Sequence, residues 1–331
     1  MHLTNKKILL IAPKYFGYEF YIKKELEDLG AEVHWIPENL DNFSYKYRFI
    51  KNYFNNIFDK AVDDYFQTNI DSVTFDKLDF VIVIRGEFLS VKMMNYMRNH
   101  FGKECRFIMY QWDSIKNNPN ANNIATLFDR CMTFDMEDAN NYSWGYRPLF
   151  YIESLLSNYP PKENDVLFLG SLHSQRISMH YYLKTYCNCE ELKYCSHIFS
   201  KKIVYYKRKY INRREEYKKD VDNDVKFYSL PLEKCYKLYL KNRILVDYTH
   251  PGQTGLTMRT IESLGCGCKL VTNNLIVKES DFYNPNNIYI YDDNDRLKIP
   301  ASFIHSEYES VDKQICRKYS LRQWVFDLIG E

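Results

Sequence analysis

The feature that most constrains this chain is a segment of its second half in which a helix lies between two short apolar runs. The first run, Ile244 to Val246, ends in polar residues and a loop, Pro251 to Gly255. A helix is predicted from about Leu256 to Gly265, and the second apolar run, Lys269 to Thr272, follows at once. Short apolar runs are typical of buried strands, and glycine commonly ends a helix. The segment therefore predicts a strand, loop, helix and strand unit of a parallel sheet.

The N-terminus of this predicted helix suits a phosphate group, because its first N–H groups have no partner within the helix and carry partial positive charge. Arg259, in the first turn, adds donors that match two phosphate oxygens. Glu262 lies one turn later on the same face, where a carboxylate can accept from two ribose hydroxyls. We therefore predict a site for a pyrophosphate and a ribose. The loop and first-turn residues of this site are Gln253, Thr254, Gly255 and Thr257.

The same segment carries a resemblance to a known family. From Gly255 to Thr272 it reads G-L-T-M-R-T-I-E-S-L-G-C-G-C-K-L-V-T. This run resembles the donor-binding segment of GT-B glycosyltransferases, most closely the bacterial enzymes that build lipopolysaccharide and capsule. Many of these enzymes have the pattern E-x7-E, whose second glutamate holds the ribose of the sugar nucleotide and matches Glu262. The first glutamate, which contacts the sugar, falls on Thr254, and this departure leaves the sugar and the stereochemical outcome open.

Length and alternation predict two domains. The 331 residues are too many for one ordinary core. Strand-like runs alternate with helical patterns in both halves, and a polar, proline-containing stretch at residues 157–164 separates them. We predict domains at residues 1–156 and 165–315, with a final helix in residues 316–331 that packs back on the body. The resemblance implies that these are two Rossmann-like domains facing each other across a cleft, the GT-B arrangement.

Other candidate residues follow strands of the predicted first domain, where ligands bind in doubly wound sheets. Asp113 comes after a predicted strand and is a candidate general base that takes the proton from an acceptor hydroxyl. The other interpretation of Asp113, an N-cap of the following segment, is equally open. Tyr15 and Gly17 follow the first strand, and Arg85 and Glu87 follow the third; these four are predicted to lie on the acceptor side.

Two basic candidates of the second half rest on resemblance. The run V-L-F-L-G-S-L-H-S-Q-R, from Val166 to Arg176, resembles the opening strand and loop of GT-B C-terminal domains. A basic residue of that loop grips the diphosphate in the family, and Arg176 falls at its place. His250 and Pro251 resemble a His-Pro pair that contacts the phosphate in several bacterial sialyltransferases, which use a CMP-sugar. A histidine that caps its own loop backbone is the alternative for His250.

Several classes of function are disfavoured by what the sequence contains. A formal net charge of +2 predicts no general affinity for nucleic acid. The Cys-x-Cys pair at Cys187 and Cys189 is poorly spaced for zinc, and we predict no metal site. A P-loop and a G-x-S-x-G elbow are both missing from the sequence. Nine scattered cysteines and an N-terminus without a signal-peptide pattern fit a cytoplasmic protein.

One basic stretch bears on the question of a membrane. Lys201 to Lys219 carries nine Lys or Arg residues, interleaved with tyrosines. This pattern has two open interpretations: a solvated helix, or a face that rests on anionic lipids at the cytoplasmic side of the inner membrane.

Taken with the resemblance, these residues imply a glycosyltransferase that needs neither a metal nor another cofactor. Its expected substrates are a nucleotide-sugar donor, from which a hexosyl or deoxyhexosyl group is moved, and a glycan or lipid-linked glycan acceptor. Lipopolysaccharide, O-antigen and capsule are the expected acceptor classes. Two alternatives are open: a GT-B nucleotide-sugar epimerase, and a non-catalytic protein of the same fold that binds a sugar nucleotide or a glycan.

Overall fold

The computed structural model describes residues 3–38, 55–156, 160–172, 176–212, 223–249, 254–292 and 297–330, with side chains of the helix that begins at Asn55 described from residue 59. Two compact units divide the chain. The first consists of Met1–Leu149 together with Leu321–Glu331, and the second of Phe150–Ser320.

The observed boundary between the units lies earlier than residue 156, the predicted end of the first domain. Residues 150–156 belong to the second unit because their backbone is bonded there. The Tyr151 N–H donates to the Tyr319 carbonyl at 2.9 Å, and the Ile152 N–H donates to the Tyr236 hydroxyl at 2.8 Å. The final helix begins at Leu321 and belongs to the first unit, where the fully buried Trp324 packs edge-on against a tyrosine of the sheet.

The first unit is a parallel sheet with helices. Its strands are β1 (Lys7–Ala12), β2 (Glu32–Pro37), β3 (Phe80–Ile84), β4 (Arg106–Gln111), β5 (Arg130–Thr133) and β6 (Gly145–Tyr146). Its helices are α1 (Tyr18–Asp28), α2 (Asn55–Asp71), α3 (Val91–Phe101), α4 (Asn120–Ile124), α5 (Met136–Tyr142) and the final helix α12 (Leu321–Ile329). The central strands β1, β3 and β4 are almost entirely buried, as expected for strands covered on both faces.

Strand order places a switch point in this unit. The order is β2-β1-β3-β4-β5-β6, so the chain leaves β1 for one side of the sheet and β3 lies on the other side. Ligands of open α/β sheets bind outside the carboxyl ends of the strands at such a point. The loops that follow β1 and β3 therefore flank the expected ligand position of the first unit.

The second unit has a sheet of the same kind. Its strands are β7 (Asn164–Ser171), β8 (Tyr194–Phe199), β9 (Val225–Lys226), β10 (Asn242–Asp247), β11 (Lys269–Thr272) and β12 (Ile288–Ile290). Its helices are α6 (Arg176–Cys189), α7 (Lys202–Tyr206), α8 (Leu232–Lys241), α9 (Met258–Gly265), α10 (Ala301–His305) and α11 (Lys313–Lys318). The order β12-β11-β10-β7-β8-β9 puts the switch point between β7 and β10.

Two predicted elements differ from the structure. The sequence pattern from Lys226 to Leu230 predicts a strand, but the observed strand is limited to Val225–Lys226, because its neighbour β8 ends at Phe199 and offers no further ladder partner. The helix predicted from Leu256 begins at Met258, because Thr257 is its N-cap. Within the described part of the chain, none of the helices combines the length and the apolar character needed to cross a bilayer.

Candidate functional site

Two arginines meet the end of β10, at the switch point of the second unit. Arg176, the first residue of α6, is buried and donates from Nη2 to the Tyr248 carbonyl at 3.0 Å. Its Nη1 lies 3.5 Å from the Ser171 carbonyl, so the guanidinium spans the ends of β10 and β7. Arg259, in the first turn of α9, lies with Nη1 3.3 Å from Oδ1 of Asp247, the last residue of β10. The fold thus brings two predicted phosphate ligands to one strand end.

Asp247 is a site residue that the sequence analysis missed. Its side chain is fully buried, and its Oδ2 accepts from Thr257 Oγ1 at 2.6 Å and from Thr249 Oγ1 at 3.3 Å. The Thr257 hydroxyl also accepts from the Thr260 N–H at 3.2 Å, as an N-cap does. Thr257, predicted to bind the donor, therefore uses its hydroxyl within the unit. An acidic residue at the end of an apolar strand was the signal that could have identified Asp247.

Glu262 lies one turn after Arg259, as predicted, but it is buried. Its exposed fraction is only 1%. The Tyr239 hydroxyl hydrogen-bonds with this carboxylate; burial first, and then the negative charge of Glu262, hold the pKa of Tyr239 well above its usual value. The carboxylate thus already has a partner inside the unit, and a ribose would share it with Tyr239.

The two loops at this strand end are clamped by asparagines that the sequence analysis did not single out. The Asn273 side chain accepts from the Thr249 N–H at 2.8 Å and donates to the Thr249 carbonyl at 3.1 Å. Asn274 donates to the carbonyl of Gly255 at 3.1 Å, which fixes the end of the loop that contains Thr254. His250 and Gln253, two further predicted ligands, lie outside the described residues. The Asn-Asn pair after β11 was the available signal.

In the first unit, Arg85 has an unusual backbone conformation at the end of β3. Its φ of 78° lies in the left-handed region, which costs a non-glycine residue about 1–2 kcal/mol. Two side-chain amides hold its carbonyl: Gln111 Nε2 at 2.6 Å and Asn118 Nδ2 at 2.7 Å. Strain of this kind collects at ligand sites, where surrounding contacts maintain it.

The Arg85 guanidinium joins two carboxylates that were predicted as site residues. Its Nη2 lies 2.9 Å from Glu87 Oε2 and 3.8 Å from Asp113 Oδ2. The other Asp113 oxygen accepts from the Ser114 N–H at 3.1 Å and from Asn117 Nδ2 at 2.9 Å. Asp113 therefore caps a turn with one oxygen, while its other oxygen faces Arg85.

Tyr15 and Gly17, also predicted on the acceptor side, lie in the loop after β1. The Tyr15 N–H donates to Glu19 Oε2 at 3.0 Å, and Gly17 has a φ of 96° as the N-cap of α1. The Tyr15 ring lies 5.8 Å from the ring of Trp112, measured between centroids, so the loops after β1 and β4 meet. The structure thus brings Tyr15 next to the residue that precedes Asp113.

Glu38, at the end of β2, is a further buried acid that the sequence analysis did not identify. Burial raises its pKa to about 8, although the N–H of Phe88 and the charge of Arg85 act in the opposite direction. The Phe88 N–H donates to Oε1 at 3.1 Å. At neutral pH this carboxyl is therefore mostly protonated.

Metal ligands do not cluster in the part of the chain that the structure describes: no three or more His, Cys, Asp or Glu side chains lie together there. His197, close in sequence to Cys189, directs Nε2 to the Tyr228 carbonyl at 3.0 Å. Asp224 pairs with Lys184 at 2.9 Å. These side chains are engaged in contacts that stabilise the second unit.

Comparisons by sequence find no match, neither to a protein-family model nor to a curated protein. Comparison of structures finds clear similarity. An alpha-glucosyltransferase in complex with UDP and a 13-mer DNA aligns with a TM-score of 0.59 at 11% identity, over 98% of this chain and 94% of that chain. HepE from Anabaena, in complex with UDP and glucose, aligns with a TM-score of 0.56 at 10% identity, over 98% and 100%.

A third similar structure is the apo form of WaaB, a lipopolysaccharide outer core galactosyltransferase. It aligns with a TM-score of 0.51 at 15% identity, over 98% of this chain and 99% of that chain. The chain has the GT-B fold. The predicted fold class, with two Rossmann-like domains, is therefore confirmed, and the likeness at these identities concerns the fold alone.

Proposed function

We propose that this GT-B protein is a glycosyltransferase that moves a sugar from a nucleotide-sugar donor to a glycan acceptor. The observation that carries the proposal is the convergence of Arg176 and Arg259 on the end of β10. Two guanidinium groups at a Rossmann switch point, beside the N-terminus of a helix, suit a diphosphate. Two of the similar structures were obtained with UDP, which makes a UDP-sugar the donor that we propose.

In the proposed donor complex, the diphosphate lies against Arg259 and Arg176, with the backbone amides of Thr254 and Gly255 beside it. Glu262 accepts from the ribose hydroxyls, and His250 and Gln253 stay predicted phosphate ligands. The two arginines offset the charge that develops on the leaving diphosphate, and we therefore propose a reaction that needs no metal ion.

The proposed chemistry is a displacement at the anomeric carbon of the donor sugar. An acceptor hydroxyl oxygen forms the new bond, the bond to the diphosphate oxygen breaks, and the bond electrons leave with the nucleotide diphosphate. Asp113 takes the hydroxyl proton in this proposal. Its side chain is about one-third exposed, and its Oδ2 lies 3.8 Å from the Arg85 guanidinium.

A thermal-shift experiment tests the donor site. A nucleotide that binds only the folded state at about 100 times its Kd stabilises the protein by about 2.7 kcal/mol. We expect UDP to raise the melting temperature more than GDP, dTDP, CDP, CMP or ADP, with or without magnesium. Glu262→Gln should abolish most of this shift. Tyr239→Phe is the matched control: it removes the internal partner of Glu262 and should keep the shift.

A UDP-induced thermal shift that is kept in Glu262→Gln, as in Tyr239→Phe, would show that Glu262 has only a structural role. A response to CMP alone would favour the His-Pro interpretation of His250 and Pro251. No response to any nucleotide would remove the donor proposal and favour a glycan-binding protein.

A second experiment tests catalysis. Asp113→Asn should lower transfer by about 100-fold or more, because general bases contribute about that much, while the UDP-induced shift stays unchanged. Asn117→Ala removes a contact of the same carboxylate without removing its charge, and should retain most activity. If Asp113→Asn and Asn117→Ala behave alike, Asp113 is only a turn cap. Conversion of the donor sugar to an epimer without an acceptor would support the epimerase alternative.

We further propose that the acceptor is a cell-surface glycan and that the protein acts at the cytoplasmic face of an anionic membrane. This acceptor class is the one named for WaaB, a lipopolysaccharide outer core galactosyltransferase of the same fold. A basic aromatic face supports the membrane contact; this face is the described stretch from Lys201 to Asn212. Ile203 is 74% exposed and Ile211 is 73% exposed, and Lys207, Arg208 and Lys209 lie between them in the sequence. Exposed apolar side chains that have Lys and Arg as neighbours suit the headgroup region of an anionic bilayer.

Vesicle sedimentation tests this contact. The protein should bind vesicles that contain phosphatidylglycerol, release at high salt, and bind phosphatidylcholine vesicles weakly. The double variant Ile203→Asp/Ile211→Asp should lose this binding. Leu275→Asp, at a similarly exposed apolar residue of the same unit, is the control and should still bind. Binding that is unchanged in the double variant would leave the basic aromatic face as an ordinary solvated surface.

A further inference from the structure

The loop after β1 exposes aromatic rings that the fold does not bury. Tyr15 is 52% exposed, Phe16 is 41% exposed, and Phe20, in the first turn of α1, is 57% exposed. Single exposed apolar side chains are common, but three within six residues are a local concentration of exposed rings, and exposed apolar patches commonly mark binding surfaces. Each of these residues keeps two-fifths or more of its surface in contact with solvent.

Phe16 is also held in a strained backbone conformation. Its φ is 55°, in the left-handed region that a bulky side chain rarely adopts, and Gly17 follows with a φ of 96°. The Tyr15 N–H donates to the buried Glu19 carboxylate, and this hydrogen bond fixes the loop. A glycine at position 16 would adopt this conformation without strain, so the Phe16 ring is placed at the surface at a cost to stability.

These rings lie at the switch point of the first unit, next to charged groups. The Tyr15 and Phe16 rings meet edge to face at 4.8 Å between centroids, and Tyr15 lies 5.8 Å from Trp112. Trp112 is followed directly by Asp113, which faces the pair of Arg85 and Glu87. An apolar surface thus adjoins carboxylates and a guanidinium at the position where the strand order predicts a ligand.

We propose that Tyr15, Phe16 and Trp112 form an aromatic platform for a pyranose ring of the acceptor, with one aromatic ring against a face of the sugar and the rings that are perpendicular or tilted to it along the edge of the sugar. Sugar rings have apolar C–H faces that stack on aromatic rings, while their hydroxyls point outward to hydrogen-bonding partners. Glu87 and Asp113 are the carboxylates that accept from these hydroxyls. This inference rests on the proposed function and extends it, because it makes the sugar, rather than a lipid chain, the part of the acceptor recognised at this edge. An acyl chain would need the rings but not the carboxylates beside them.

The test is saturation-transfer NMR on the full chain without nucleotide. The probes are the methyl pyranosides of glucose, galactose, mannose and N-acetylglucosamine, together with dodecylphosphocholine below its micelle concentration. We expect saturation of the ring protons of at least one pyranoside, strongest on the face that contacts the rings. Removal of one ring should weaken binding by about fivefold.

Phe16→Gly is the decisive variant, because it removes the ring and also relieves the strain. Its melting temperature is measured beside sugar binding, so that weaker binding by a variant that is folded at the assay temperature cannot be attributed to unfolding. Trp112→Ala should weaken binding similarly. Asn5→Gly, at another left-handed residue (φ 65°) before β1, and Tyr228→Ala, at an exposed ring of the second unit, are controls that should bind like the unchanged protein.

Sugar saturation that falls in Phe16→Gly and Trp112→Ala but not in the controls supports the platform. The platform proposal is overturned if no pyranoside is saturated, if Phe16→Gly binds as well as the unchanged protein, or if only dodecylphosphocholine binds. The UDP-induced thermal shift is measured in parallel. Sugar binding without a shift by UDP or any other nucleotide of the panel supports the platform and refutes the transferase, whereas a UDP shift without sugar binding refutes only the platform.

Discussion

Asp247→Asn should destabilise the protein yet strengthen its response to a nucleotide diphosphate. In the structure this buried carboxylate lies 3.3 Å from Arg259 and accepts from Thr257 and Thr249. It is therefore the internal counter-ion of an arginine that we assign to the diphosphate. Replacement by asparagine keeps an oxygen acceptor and the shape but removes the negative charge.

The size of the loss follows from the contacts. Hydrogen bonds to charged groups contribute about 1.5–3 kcal/mol each, and solvent screening lowers this figure for the Arg259 side chain, which is 22% exposed. We therefore expect a loss of about 2 kcal/mol, since asparagine retains part of the network. For a domain of 150–250 residues this lowers the melting temperature by about 4–8 °C.

Nucleotide binding should then recover part of the loss. A unit charge several ångströms from a phosphate in partly solvated surroundings contributes about 1 kcal/mol of repulsion, which the variant lacks. The stabilisation by UDP should thus be larger in Asp247→Asn than in the unchanged protein by about this amount. Urea unfolding of both proteins, without UDP and at the same UDP concentrations, measures the free energy of unfolding and its increase on UDP binding.

Thr249→Val is the matched control. It removes a 3.3 Å hydrogen bond to the same carboxylate and leaves both charges in place, so it should lose about 1 kcal/mol without any change in the UDP response. The reasoning is refuted if Asp247→Asn is as stable as the unchanged protein. It is also refuted if the UDP response of Asp247→Asn is smaller, because Asp247 would then orient Arg259 rather than compete with the phosphate.

Three further predictions concern the sites and their support. Burial raises the pKa of Glu38 from 4.5 to about 8, so the folded protein keeps a proton that the unfolded chain releases, and stability falls as pH rises through this range. Relative to the unchanged protein, Glu38→Gln should therefore have a free energy of unfolding that is higher by on the order of a few kcal/mol at pH 8.5 and almost equal at pH 4.5. Urea unfolding at both pH values measures this difference. In Gly265→Ala the new Cβ would lie 2.5–3.0 Å from ring atoms and Cβ of Tyr151. We expect the free energy of unfolding to fall by about 1–3 kcal/mol, as measured by calorimetry. An unchanged melting temperature would contradict this packing. Asn273→Ala removes two bonds to the loop after β10 and should weaken UDP binding in a titration, whereas equal affinity would show that the loop needs no clamp.

Much of the fold was predictable because its signals are local. Apolar runs such as those of β1 and β10 are buried on both faces and stand out from the polar loops between them. The start of α9 was predicted two residues early, because the sequence pattern does not distinguish Thr257 from the helix that follows it. In the structure the Thr257 hydroxyl accepts from the Thr260 N–H, which makes Thr257 the N-cap. The extent of β9 was wrong because strand length at a sheet edge depends on the neighbouring strand.

The candidate site was predictable only in part. Arg259 and Glu262 were identified because their spacing places both on one face of a helix that follows a loop. Asp247 was missed because its role comes from partners in the following loop (Thr249) and at the start of α9 (Thr257 and Arg259). Phe16 was missed because a backbone in the left-handed region cannot be read from a residue type that rarely adopts it.

The alternation of strands and helices, the two-domain organisation and the residue types available at each strand end are encoded locally in the sequence. These follow from hydrophobic periodicity and helix-terminus chemistry, which act over a few residues. Which strand ends are neighbours, in contrast, depends on long-range contacts of the folded chain. The pairing of β7 with β10 brings Arg176 to the strand end that Arg259 contacts, and the pairings of β1 and β4 with β3 bring Tyr15 to Trp112. Strand order depends on the burial of whole sheet faces, a long-range balance of free energy that no local pattern contains.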